Sequence, residues 1–168
     1  MLLSNQSDIQ KWLDNYSIEN YILIPDHKYG YIVDVNDNVN LSYSGIKLIE
    51  VKFNIIKGNF DCSYNFLYTL KGSPKIVEGY CDVNNNNLTS LKYVPHTIHK
   101  EFCADHNLLK SLFYFPQKVL GNYIHLYNNE LLNELQNLET YNDYLIYKDK
   151  QKLSKINTLS KKNNLNKI

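Results

Sequence analysis

Titratable side chains recur along the chain at a nearly constant step, in positions where they could carry chemistry. Asp82, Cys103 and His125 are separated by 21 and 22 residues, and these residue types are ligands for zinc and other transition metals. A Cys and a His also form a nucleophile and its base in some enzymes. The sequence contains no C-x-x-C, H-E-x-x-H or G-x-S-x-G motif and no phosphate-binding glycine loop. We therefore predict no metal site, no cofactor and no enzyme activity, and keep a metal-dependent enzyme as the third of three hypotheses.

The constant step reflects an internal repeat. The pattern Φ-x-Φ-x-x-N-x-L-x-x-L, in which Φ is apolar, occurs in three copies 21 residues apart that begin at Phe60, Cys81 and Phe102. A repeat of about 20 residues is typical of a solenoid, because one copy is too small to bury its apolar face without a neighbour. Two weaker copies begin at Val39 and Ile124. The sequence therefore predicts five coils, of which the outer two are degenerate.

Each position of the pattern has a physical role. The two Φ residues alternate as on a short strand with one buried face, and strands of successive coils are expected to pair in parallel. The asparagine stands where the chain leaves the strand, and a buried Asn amide can pair backbone groups of the turn. The leucines fill the coil. Prolines at the same step, Pro74, Pro95 and Pro116, favour an extended, polyproline-like return path without a full helix.

The residues before the repeats predict an N-terminal cap over residues 1–38. Apolar residues at helical intervals predict a short amphipathic helix over residues 7–16, starting with a capping box at Ser7. Residues 21–24 and 31–35 read as two strands of a hairpin.

The repeats are assigned to residues 39–135, and residues 136–168 are predicted to form a helical cap and a lysine-rich tail. Leucines at 131, 132, 135 and 138 suggest helical turns, and a further helix is expected over residues 144–153. Residues 161–168 have little apolar area to bury and are expected to fray. The predicted fold class is thus α/β and β-rich: a repeat solenoid with a short parallel sheet, a helix-hairpin cap before it and a helical cap after it.

Side chains that do not point inward form rows across the predicted sheet. Asp, His, Asn and especially Tyr are suited to protein contacts, and Tyr is enriched in interfaces. We predict that these rows bind a partner, and the candidate contact residues are Tyr43, Asp61, Ser63, Tyr64, Asp82, Asn84, Asp105, His106, His125 and Tyr127.

The charge balance excludes a strongly basic or acidic body. The formal net charge is +1, and all 18 positive side chains are lysine. Lysines near the C-terminus remain possible contacts for nucleic acid: Lys150, Lys152, Lys155, Lys161 and Lys162. Without arginine, whose planar guanidinium pairs with phosphate through two donors, such binding is expected to be weak, directed at the backbone and sensitive to salt.

Cysteine usage and hydropathy bear on the compartment. Three cysteines argue against a disulfide framework. Cys62 and Cys81 occupy inward positions and Cys103 an outward one, and a reducing compartment suits all three. We find no secretory signal and no apolar stretch long enough to span a membrane. We therefore expect a cytoplasmic protein that contacts neither a membrane nor a small-molecule substrate.

The repeat resembles the leucine-rich repeat, whose core is L-x-L-x-x-N-x-L-x-x-L. The arrangement as a whole is similar to short-repeat proteins of this family encoded by bacteriophages and their AT-rich hosts. The similarity is carried by residues 12–13, 18–21, 33–42, 58–65 and 86–91. The chain departs from that group at Tyr93 and Tyr114, where loop glycines are typical, and at Ala104, a small inward residue.

The resemblance implies that the sheet face is concave and holds a protein partner. It also implies a phage or mobile-element protein that acts in the bacterial host cell by inhibiting a host protein, such as a CRISPR–Cas or other anti-phage immune effector. The alternative from a different class is a binder of RNA or of a ribonucleoprotein that uses the C-terminal lysines.

Overall fold

A computed structural model describes residues 1–131, 135 and 137–165 of the chain, with side chains up to residue 155. Strands from successive repeats stack side by side, so the described part of the chain is a solenoid of parallel coils at the predicted spacing of about 21 residues. The predicted fold class is confirmed.

The first Φ positions of the five copies form a five-stranded parallel sheet, which we call the front sheet. Its strands are β3 (Val39–Asn40), β5 (Phe60–Asp61), β7 (Cys81–Asp82), β9 (Phe102–Cys103) and β11 (Ile124–His125). Equivalent residues of the repeat are direct partners: Asp61 pairs with Asp82, Asp82 with Cys103, and Cys103 with His125. The rows predicted from the sequence therefore lie across the sheet as expected.

The return path forms a second sheet, the back sheet, which replaces the predicted polyproline-like path. Its strands are β1 (Tyr21–Asp26), β2 (Gly30–Val35), β4 (Phe53–Ile56), β6 (Ile76–Val77), β8 (Thr97–Ile98) and β10 (Lys118–Val119). The prolines precede β6, β8 and β10, so none of these strands lacks an amide donor, and the Thr97 N–H of β8 donates to the Lys75 carbonyl at 3.4 Å. Four return strands between five front strands give about four turns.

The core lies between the two sheets and is built by equivalent residues of each coil. Phe60, Cys81 and Phe102 are fully buried beneath the front sheet, and Leu67 and Leu88 are fully buried beside them. Each buried leucine contributes about 1.5–3 kcal/mol. Stacking thus gives every coil the apolar neighbour that it lacks alone.

A helix and a hairpin close the N-terminal end. Helix α1 (Gln6–Asn15) is capped by Asn5, whose Oδ1 accepts the Asp8 N–H at 2.9 Å, so the predicted capping box at Ser7 is wrong. Trp12 is buried and meets Phe53 of the first coil edge-on, with 6.2 Å between ring centroids. β1 and β2 form the predicted antiparallel hairpin, and β2 continues into the back sheet beside β4.

Helix α2 (Tyr141–Leu165) lies at the other end and is longer than predicted. Thr140 and Asp143 form a capping box, in which the Asp143 N–H donates to Thr140 Oγ1 and the Thr140 N–H to Asp143 Oδ2. Fraying from residue 161 is not seen up to Leu165, and residues 166–168 lie outside the described part, as do residues 132–134 and 136 of the predicted helical turns. None of the described helices combines the length and the apolar composition that a membrane span requires.

Candidate binding surfaces

A column of asparagines, which we call the asparagine ladder, shapes the turns beside the front sheet; its first three members are buried and the last is half-buried. It comprises Asn65, Asn86, Asn107 and Asn129. The two Nδ2 hydrogens of Asn86 are shared among the carbonyls of Cys62, Val83 and Asn84 at 3.0–3.2 Å, and its Oδ1 accepts the Leu67 N–H at 2.9 Å. The predicted role of this residue is confirmed, and two of its four bonds reach back to the preceding coil.

The ladder explains why the first repeat has Ser44 in place of asparagine. Asn65 donates to the Leu41 carbonyl and accepts from the Ile46 N–H, so the second coil satisfies the turn of the first. The first coil has no earlier repeat to bond in this way. Degeneracy of the outer copy therefore follows from its position in the stack.

The residue before each of these positions adopts a left-handed backbone, and we call this set the turn row. Its members are Tyr43, Tyr64, Asn85, His106 and Asn128, with φ between 50° and 54°. Tyr43 is 72% exposed and Tyr64 46% exposed, and their rings stack 4.4 Å apart with planes 9° from parallel. His106 Nε2 and Asn128 Nδ2 lie 2.8 Å apart further along the row. The turn row thus presents an aromatic pair at one end and polar groups at the other.

Some polar side chains on the strands of the front sheet form hydrogen bonds with the turns that follow, so they are only partly available to a partner. Asp61 Oδ1 accepts the Ser63 N–H at 2.9 Å and the Ser63 hydroxyl at 2.7 Å, and Asp82 Oδ1 accepts the Asn84 N–H at 2.9 Å. Ser63 is only 4% exposed, so it supports the turn and does not belong to the exposed surface. Asp61, Asp82 and Asn84 are half-buried, with one carboxylate oxygen of each Asp committed to the backbone.

Of the remaining predicted contacts, Asp105 and His125 are half-buried, and Tyr127 is exposed. Asp105 Oδ1 accepts the Tyr127 N–H at 2.6 Å from the next coil. Cys103 occupies the strand position that Asp61 and Asp82 fill in the two preceding coils, and it has no side-chain oxygen to accept an N–H of the turn.

Burial perturbs the acidity of two groups on this face. Loss of hydration raises the pKa of Asp82 to about 6, an effect that Asp61 and Asp105 increase and that the Asn84 N–H and His125 oppose. Loss of hydration likewise raises the pKa of Cys103 to about 12, and the nearby carboxylates add to it. The predicted outward Cys103 is therefore half-buried and holds its proton at neutral pH, which makes it a poor nucleophile and a poor metal ligand.

The fold does not support the hypothesis that Asp82, Cys103 and His125 bind a metal ion. Asp82, Cys103 and His125 are on neighbouring strands, but among the described residues no three His, Cys, Asp or Glu side chains are grouped closely enough to hold an ion. Cys62 and Cys81 are fully buried, as their inward positions predicted, and burial raises the pKa of both thiols.

A second candidate binding surface was not predicted from the sequence. A cleft of about 1020 Å³, which we call the helix cleft, lies between α2 and the turns of the third and fourth coils. Tyr93, Phe113 and Tyr114 line it from the coils, and Tyr144 and Tyr147 line it from α2. The available signal was the tyrosine at positions 93 and 114, where an earlier coil has Gly72. The position of α2 against the coils could not be read from the sequence.

The helix cleft also receives part of the predicted lysine tail. Lys152 and Lys155 line it, whereas Lys150 is exposed outside it. The side chains of Lys161 and Lys162 lie outside the described part of the chain.

The fold and these two surfaces define a capped repeat solenoid that offers a front face and a cleft. Comparisons with family models, with curated proteins and with solved structures give no match for this chain. The functional argument therefore rests on the residues of the two surfaces.

Proposed function

We propose that this protein is a non-enzymatic binding module that holds a protein partner on its front face, centred on the turn row. The observation that carries the proposal is the presence of Tyr43 and Tyr64 at left-handed positions. Asn occupies the same position at Asn85 and Asn128, and it tolerates this backbone far better than Tyr, for which the cost is about 1 kcal/mol or more. Exposed residues held in an unfavourable conformation are often found where a ligand is gripped.

The chemistry of the face favours a protein as the partner. The stacked Tyr43–Tyr64 pair offers a large, rigid and amphipathic contact, which is the kind of anchor that protein interfaces use. Asp61, Asp82 and Asp105 lie in the adjacent rows and give this side of the face a negative character. We therefore expect the partner to present lysine or arginine near an apolar spot.

The same geometry supports a non-enzymatic role. One oxygen of each of Asp61 and Asp82 is engaged with the backbone, and the thiol of Cys103 is protonated at neutral pH because burial raises its pKa to about 12. Asp61 and Asp82 thus hold the turns, and Cys103 is not available as a nucleophile.

The narrower hypothesis is that the chain is a leucine-rich-repeat protein of a phage or mobile element that inhibits a host protein in the bacterial cytoplasm, for example a CRISPR–Cas or other anti-phage effector. It is supported by the sequence resemblance alone. Phage plating on a defended bacterial strain that expresses the protein tests it, and the hypothesis requires that plating efficiency rises.

The proposal is tested with two tyrosines of similar exposure. The partner is first captured from bacterial lysate with the full chain, and its affinity is then measured by calorimetry for the parent, Tyr64→Asn and Tyr68→Ala. Tyr64 is 46% exposed in the turn row, and Tyr68 is 57% exposed outside it. We expect Tyr64→Asn to weaken binding by more than about 1 kcal/mol, roughly fivefold, and Tyr68→Ala to leave it unchanged.

The asparagine variant is chosen because it keeps the turn. Asn is the parent residue at the equivalent position of the next coil. We expect Tyr64→Asn to change the free energy of unfolding by less than about 1 kcal/mol, because the lower cost of a left-handed backbone for Asn offsets the loss of the stacked tyrosine ring. Parent-like binding by Tyr64→Asn would refute the proposal.

A further inference from the structure

The helix cleft carries a charge that its neighbours do not neutralise. Its lysines come from both walls: Lys92 and Lys110 from the coils, and Lys148, Lys152 and Lys155 from α2. The three on α2 are four and three residues apart and so project from one side of the helix. No Asp or Glu is among the described residues that line the cleft.

The nearest carboxylates form only surface pairs with these lysines. Lys110 Nζ lies 3.1 Å from Glu130, and Lys152 Nζ lies 3.4 Å from Asp149, with all four side chains at least half exposed. Exposed pairs of this kind contribute about 0–1 kcal/mol, so an anionic ligand can displace them. In a chain whose formal net charge is +1, this local excess marks the cleft as a site for an anion.

Between the lysines lie aromatic rings that face solvent. Phe113 is 80% exposed, and Tyr93 and Tyr114 are 49% and 44% exposed. Phe113 and Tyr114 meet edge-to-face with centroids 4.7 Å apart, so each keeps an open ring surface. Tyr93 has φ of 74°, at the repeat position where Gly72 has φ of 105°. A tyrosine therefore occupies a left-handed position that the preceding coil fills with glycine.

We infer that the helix cleft binds single-stranded nucleic acid. Lysines along both walls are point charges suited to phosphates, and open aromatic rings are platforms on which bases stack. An acidic peptide would satisfy the lysines, but its carboxylates make no use of the exposed ring faces. Because the chain has no arginine, we expect binding that tolerates many sequences and depends strongly on salt.

This inference is separate from the proposed function, since it uses different residues. It also moves the predicted nucleic-acid contact away from the end of the chain. Lys152 and Lys155 contribute because they lie on the cleft side of α2, and we expect binding to survive deletion of residues 161–168.

The first arm of the test concerns stacking. Fluorescence anisotropy of a labelled oligouridine of about 12 nucleotides measures the affinity of the full chain and of Phe113→Ala. Phe113 is mostly exposed, so its truncation is not expected to disturb folding, which circular dichroism checks. We expect affinity to fall at least about fivefold, and the matched control Phe66→Ala, 57% exposed and away from the cleft, to bind as the parent does.

The second arm concerns charge. The double variant Lys148→Ala/Lys155→Ala is titrated at about 50 and 200 mM salt beside a control, Lys47→Ala/Lys57→Ala, whose exposed lysines lie outside the cleft. Loss of two phosphate contacts should reduce the slope of log affinity against log salt by about 1.4, and the control should keep the parent slope.

Three results would overturn the inference. The first is no binding of the oligouridine at low salt. The second is binding that survives Phe113→Ala unchanged but disappears when residues 161–168 are deleted. The third is tighter binding of an acidic Glu–Tyr copolymer than of the oligouridine, which would assign the cleft to an acidic peptide. None of these results bears on the front face, whose test uses Tyr64.

Discussion

The asparagine ladder and the turn row are adjacent in the chain, yet their compositions follow opposite rules. Asn65, Asn86, Asn107 and Asn129 repeat one residue type in four successive coils. One position earlier, the turn row reads Tyr, Tyr, Asn, His and Asn. Both rows recur at the same interval along the chain. The uniform ladder therefore marks a position where the backbone requires one residue type, and the varied turn row marks a position where it tolerates several.

The ladder contains only asparagine because no other side chain can make the same set of hydrogen bonds in the same space. Its amide must donate to carbonyls of two coils and accept one N–H in a space that leaves only 4–6% of the central residues exposed. An Asp cannot donate, and a Gln is one methylene too long. The turn row needs only a left-handed backbone with the side chain outside, which leaves its chemistry open to selection for binding.

The largest effect is expected from Asn86→Ala. It leaves the buried Leu67 N–H without its partner, at about 1–3 kcal/mol, and removes one of the two amide donors to each of the Cys62 and Val83 carbonyls, which keep only Asn65 and Asn107 respectively. We expect a loss of at least about 3 kcal/mol in the free energy of unfolding, measured by urea titration. Asn87→Ala, at the exposed next residue, should change it by less than about 0.5 kcal/mol. Equal losses for the two variants would contradict the ladder.

A smaller, pH-dependent effect is expected at Asp82, which lies between the two rows. Its pKa is raised by burial to about 6, above the value of about 3.9 in an unfolded chain. The folded state then binds more protons than the unfolded state between these values, so this group lowers stability as pH rises from about 4 to 6. Above that window the penalty is fully present.

Asp82→Asn removes the penalty while its Oδ1 can still accept the Asn84 N–H, as Asn40 Oδ1 does for Ser42 in the first coil. It gives up the half-buried bond that Asn84 Nδ2 donates to Asp82 Oδ2 at 3.1 Å. We expect a gain of about 1 kcal/mol at pH 8, reduced from the full linkage by partial solvent screening, and little gain at pH 3.5. Urea titrations at the two pH values measure it. Glu78→Gln, at an exposed carboxylate of the back side, is the control, and a gain at Asp82 that does not depend on pH would refute this account.

The smallest effect is expected within the turn row. His106→Asn installs the residue found on both sides of it, at Asn85 and Asn128, and should relieve left-handed strain at the cost of one exposed contact with Asn128. We expect thermal unfolding to show a stabilisation of about 0.5 kcal/mol. A destabilisation of more than about 1 kcal/mol would mean that the His106 side chain, rather than the backbone, holds this turn.

The uniform row was the part of the fold that could be predicted. A buried amide at every twenty-first residue leaves a strong sequence signal, and with the inward Phe60, Cys81 and Phe102 it determined the strands and their register. The front-face candidates followed from that register. Their burial did not, because Ser63 and Asp61 were assigned by alternation alone, and the hydrogen bond between them turns Ser63 inward.

The back sheet and the helix cleft could not be predicted, for different reasons. The prolines suggested an extended, polyproline-like return path without a full helix. Instead, Ile76 and Val77 pair with equivalent residues in neighbouring coils, a bonding that becomes possible only after stacking. The cleft depends on how α2 packs against the coils, and Tyr144 of α2 packs on Phe115 with 4.3 Å between the ring centroids. These two residues are 29 positions apart in the chain. No local pattern encodes such a contact.

The asparagine ladder also bears on the order in which the coils can be completed as the chain is made. The Leu67 N–H is satisfied by Asn86 and the Leu88 N–H by Asn107, each bond closing a turn with a residue 19 positions further on. A ribosome releases the chain in that same order, so a newly made coil keeps unpaired groups until the next one emerges. The last coil is closed by the segment before α2, where the Ile124 N–H donates to the Glu139 carbonyl at 3.0 Å. We therefore expect the solenoid to be completed during synthesis from the first coil to α2, with the asparagine of each new coil closing the turn of the coil made before it.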